Sequence, residues 1–82
     1  MSYNKQIKAL TAQEMKALFD EVNNHPSAKK SYKQVMYKVL LEEKIAEKNN
    51  INTDDFLFEP MSNNYPEIAN QANLISTNVE FK

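Results

Sequence analysis

The stretch from Ser31 to Lys48 constrains this chain more than any other, because when read as a helix it is apolar on two nearly opposite sides. At about 100° per residue, Tyr32, Val35, Met36, Val39 and Leu40 gather on one face. Tyr37, Leu41 and Ile45 form an i, i+4, i+8 ridge across from it. A helix packed against a single neighbour needs one stripe. The second must be covered by the rest of the chain, by a second copy, or by another protein. Lys33, Lys44 and Lys48 border the ridge on one side, and Gln34 and Lys38 on the other. An apolar ridge with a cationic rim has the make-up of a protein-interaction face, in which apolar anchors give affinity and rim charges steer encounter. Tyr37, Leu41, Ile45, Lys33, Lys38, Lys44 and Lys48 are therefore the candidate partner-binding residues. The competing reading has Phe56, Phe58, Ile68 and Leu74 from the back of the same chain covering the ridge.

Eighty-two residues make one small domain near the lower limit for a self-sufficient core. With no cysteine, neither a disulfide nor a thiolate metal site supplements that core. The longest strongly apolar run is Val39-Leu40-Leu41, far short of the ~20 residues a membrane-spanning helix needs. No signal-peptide pattern follows Lys5 and Lys8, so a cytoplasmic location is expected. Charge is uneven: residues 1–48 hold nine lysines and six carboxylates, and the remainder one lysine and five carboxylates. Either an acidic back half complements a basic front half, or the front faces an acidic partner.

The chain has no glycine, so asparagine is the next cheapest residue for a left-handed position. Asn-Asn pairs at 23–24, 49–50 and 63–64 cut it into pieces, each pair placed where a helix C′ residue would serve. Thr11-Ala12-Gln13-Glu14 is a capping box with Leu10 and Met15 as its hydrophobic staple, opening a helix over about 11–23 whose stripe is Met15, Leu18, Phe19 and Val22. Tyr3, Ile7 and Leu10 precede it as an arm or short extra turn. The second helix spans about 27–48, starting from Pro26 or from the box-like Ser31-Tyr32-Lys33-Gln34. Weaker helical segments follow over about 53–59 and 66–75. In the latter, Tyr65, Ile68, Ala69, Ala72 and Ile75 share a face. Residues 76–82 form a tail beyond a domain of 1–75, with Val79 and Phe81 docking or adding an edge strand. The expected class is all-α.

The chemistry available is narrow. Without glycine or cysteine, no phosphate-cradling loop, dinucleotide fingerprint or thiol nucleophile exists. His25 stands alone in an expected turn, and Asp54, Asp55 and Glu59 lack the ligand alternation of a calcium loop. These features point away from an enzyme, a metal site and a cofactor. Lysines and tyrosines alternate from Lys29 to Lys38, which would suit phosphates and stacked bases. The absence of arginine and a pI of about 5.8 argue against nucleic acid as the main partner.

Taken whole, the chain resembles the small accessory proteins of T4-like bacteriophages. The features that carry the resemblance are its size, its abundance of Lys and Asn, its lack of Gly, Cys, Arg and Trp, and stretches such as Lys48-Asn49-Asn50-Ile51-Asn52. It implies a small cytoplasmic regulator that binds and inhibits another protein. One such activity is that of an antiholin, which binds the cytoplasmic region of a phage holin and delays lysis. Another is inhibition of a host transcription or defence protein. No diagnostic motif is part of the resemblance, so it carries no site residue across.

Overall fold

In the computed structural model, which describes residues 7–52 and 61–82, the protein is all-α: α1 (Ala12–Asn23), α2 (Lys30–Lys48), the single-turn α3 (Met61–Asn64) and α4 (Pro66–Thr77), with no strand among the described residues. The expected helical segment over 53–59, with Phe56 and Phe58, lies outside the described residues.

α1 begins as its sequence dictates. The Glu14 amide donates to the Thr11 hydroxyl (3.1 Å), and the Thr11 amide donates to the Glu14 carboxylate (2.8 Å). Both arms of the capping box are made, satisfying two of the amides a helix start leaves unpaired. Leu10 is buried, and Met15 packs against the same core, completing the staple.

α2 starts three residues later than the expected 27, with Lys29 as an N-cap that makes no side-chain hydrogen bond. Ser31 is already inside the first turn, so its box-like pattern is unused. The C-terminus is better made. Asn50 takes φ 59°, the Ile51 amide donates to the Ala46 carbonyl (2.9 Å), and the Asn50 amide donates to the Glu47 carbonyl (3.1 Å). That pair of bonds is a Schellman motif, with asparagine in the left-handed position usually held by glycine. The pair at 23–24 does not repeat it, since Asn24 caps α1 at φ −86°. Asn49 does further work: its side chain accepts from the Lys8 amide (2.7 Å) and donates to the Lys8 and Ile45 carbonyls (3.1 and 2.7 Å). Residues 7–10 are thereby held as an arm along the end of α2.

α2 is the spine, with α1 and α4 both packed on it. Lys33 meets Asn23 at one end of the α1–α2 contact and Lys48 meets Glu14 at the other, so the two helices run antiparallel. Gln34 donates to the Ser76 carbonyl (3.2 Å), bringing the end of α4 beside the start of α2. α4 buries Ile68, Ala69, Ala72 and Ser76, close to the expected face, with Tyr65 and Ile75 half-buried at its margins. It runs on to Thr77 rather than stopping at 75. Of the two expected fates of the following residues, docking is the one found: Phe81 is buried, stacked on Phe19 (centroids 4.9 Å, 21°) and edge-on to Tyr37 (5.7 Å, 82°).

Candidate docking face

The two faces of α2 exchange the roles the wheel suggested. Tyr37, Leu41 and Ile45 retain 1 %, 0 % and 0 % of their exposure and form the centre of the core. The ridge is therefore no docking surface. The reason is geometric: two helices resting on a third enclose the sector between them, and here that sector runs from Met36 and Leu40 through Tyr37 to Leu41 and Ile45. Tyr37 also carries a polar tip that burial obliges it to satisfy. Its hydroxyl donates to the Met15 carbonyl (3.3 Å), its ring meets Phe19 edge-on (5.7 Å, 78°), and desolvation pushes its phenol above the ordinary value of 10.0. Of the residues expected to cover the ridge, Ile68 is buried as foreseen, whereas Leu74 points away and is exposed. Ala72, Ser76 and Phe81 belong to the buried set instead.

The cationic rim dissolves with the ridge. Lys33 is itself buried, and its ammonium donates to the carbonyls of Asn23 (2.8 Å) and Lys82 (2.6 Å). The Lys82 amide donates in turn to the Asn23 side chain (2.8 Å), closing a small ring of bonds between the end of α1 and residues 79–82. Lys48 pairs with Glu14 at 2.7 Å, tying the α1 capping box to the last turn of α2. Chiefly through that hydrogen bond, and then through the Thr11 amide, the Glu14 carboxyl is lowered from 4.5 to about 2. Lys44 lies 3.8 Å from Glu47. Lys38, half-buried, flanks Glu42, whose carboxyl is raised by desolvation, an effect Lys38 partly offsets. Among the described residues the ion pairs all fall within residues 1–48, so no described pair joins the basic front to the acidic back.

What remains outside is the stripe Tyr32, Val35 and Val39, exposed to 58 %, 58 % and 46 %. It lies on α2 opposite the buried sector, at the i, i+3, i+7 spacing of one helical face. Lys29 stands at its N-terminal end and Glu43 and Glu47 at its C-terminal end, all exposed. Of the face formed by Tyr32, Val35, Met36, Val39 and Leu40, only Met36 and Leu40 pack inward. Periodicity revealed both faces, but no local signal distinguished the one that α1 and α4 would choose. The same rotation breaks the lysine–tyrosine alternation, because Lys33 and Tyr37 point into the core while Lys29, Lys30 and Tyr32 stay outside. Consecutive stacking of bases along that segment is lost.

An open groove of about 340 Å³ runs between α1 and α4, walled by Met15, Phe19, Ile75 and Val79 over Tyr37. Its lining is almost wholly apolar, without the convergent polar groups that orient a small molecule. His25 is exposed in the turn between α1 and α2. No group of three metal-ligating side chains occurs among the described residues, and no helix among them is long and apolar enough to cross a membrane.

Fold and surface together define a small all-α protein with one central helix, two helices packed on one side of it and an apolar stripe on the other. No protein-family model, no curated protein and no solved structure matches the chain.

Proposed function

We propose that this chain is a non-catalytic protein-docking module that binds and modulates another protein through the outer face of α2. The observation that carries the reading is the exposed stripe of Tyr32, Val35 and Val39 on the longest helix, while the opposite side of that helix is engaged by α1 and α4. Large apolar side chains grouped on a rigid element are the usual anchors of a protein contact, tyrosine above all. The residue inventory supports the non-catalytic part: one histidine, exposed in a turn, no cysteine, and no glycine for a phosphate loop.

The compositional resemblance to T4-like phage accessory proteins suggests which partners to offer first. One is the cytoplasmic region of a phage holin, for an antiholin acting on lysis timing in the host cytoplasm. The other is a host transcription or defence protein. The test is retention of each purified candidate on immobilised protein, wild type against Val39→Glu. Binding by wild type and its loss in the variant, at an unchanged melting temperature, is the expected result. A partner held equally by both proteins would remove the outer face of α2 from the account.

A further inference from the structure

We propose that one occupant of the outer face of α2 is the same face of a second copy, crossed antiparallel to form a two-fold dimer. The inference rests on the docking reading and names a partner for that surface. Its basis is the order of charges along the stripe. Lys29, the N-cap residue, lies before Tyr32, Val35 and Val39, and Glu43 lies after them, both exposed. With ~1.5 Å of rise per residue, each charge sits roughly 10 Å from a centre near Val35 and Met36.

A two-fold axis through that centre brings Tyr32 of one copy to the level of Val39 in the other, and Lys29 to the level of Glu43, twice over. A parallel pairing would instead set Lys29 against Lys29 and Glu43 against Glu43. A strongly acidic or strongly basic partner would meet a matching charge at one end and a like charge at the other. The surface is self-complementary in one orientation only. One helical face contributes little area, so the dimer belongs at the small end of interfaces, below about 1,200 Å² in total, and its population depends on concentration.

Sedimentation equilibrium of the full chain over about a hundredfold range of concentration, with charge-swap variants, tests the arrangement. Wild type is expected to show a reversible monomer–dimer equilibrium that Val39→Glu abolishes without lowering the melting temperature. Lys29→Glu alone and Glu43→Lys alone each place like charges together, and each should weaken dimerisation about three- to tenfold. An equimolar mixture of those two variants restores both opposite-charge contacts and should recover wild-type affinity as a heterodimer. A wild-type monomer at every concentration overturns the second copy as occupant while leaving docking of another protein to be judged by the retention experiment. A dimer untouched by Val39→Glu, or single swaps that mixing fails to rescue, overturns the antiparallel arrangement.

Discussion

Glu14 does two jobs with one carboxylate. Oε1 accepts from the Thr11 amide, closing the capping box, and from the Lys48 ammonium on the neighbouring helix. Both interactions are stronger with the ionised form, which is why the folded-state pKa is lowered to about 2. Between the ordinary value of 4.5 and about 2, the unfolded chain binds a proton that the folded chain refuses. The contribution is therefore complete above that window and is lost as pH falls through it. Urea unfolding followed across this range should show wild-type stability dropping with acid, with a shallower drop in Glu14→Gln, which has no carboxyl to titrate there. Lys33 illustrates the opposite situation. A lysine on the ridge side of the helix reads as a rim charge, yet its stem lies in the core and its ammonium is held by two carbonyls. One of those carbonyls belongs to Lys82, 49 residues away. Nothing within five residues of Lys33 could have announced that.

At the scale of elements, what was legible followed from how local the cause is. The α1 start is written in four consecutive residues, Thr11 to Glu14, and forms as read. The end of α2 is likewise local: asparagine at 50 supplies the left-handed residue in a chain without glycine. Asn50→Gly should raise stability by up to about 1 kcal/mol by removing the β-carbon clash, and Asn50→Ala should lower it by a similar amount by keeping that carbon while losing the polar side chain that lets asparagine tolerate the left-handed region. Thermal unfolding would show this as shifts of opposite sign, about 4–8 °C per kcal/mol for a chain of this size. The choice of buried face on α2 was not legible, since Tyr37, Leu41 and Ile45 are matched in apolar character by Tyr32, Val35 and Val39. The decision comes from where α4 and residues 79–82 return to α2, through contacts such as Gln34 to Ser76, 42 residues apart in the chain. The segment over 66–75 was readable because its small residues, Ala69 and Ala72, and its larger ones, Ile68 and Ile75, fall on a single face. The start of α2 was not, because neither candidate cap residue is used.

For the whole molecule, the core is closed by its last residues. Phe19 from α1, Tyr37 from α2 and Phe81 from beyond α4 meet at centroid distances of 4.9 to 5.7 Å, a junction of three distant parts of the chain. In a protein this small, one such aromatic carries a large share of the total stability. Phe81→Ala should cost about 3 kcal/mol in chemical denaturation, through lost burial and the cavity it leaves. Ring-current shifts at Phe19 and Tyr37 in the proton spectrum should collapse with it. The substitution touches nothing on the outer stripe of α2, so the folded fraction should keep whatever binding that surface has.

The same junction gives the protein a built-in optical reporter. The chain has no tryptophan, and among the described tyrosines Tyr37 alone is fully enclosed, edge-on to two stacked phenylalanine rings. Near-ultraviolet dichroism should therefore be dominated by one immobilised chromophore at the point where α1, α2 and residues 79–82 meet. Loosening of residues 79–82 could then be followed in unlabelled material by the fading of a single tyrosine band.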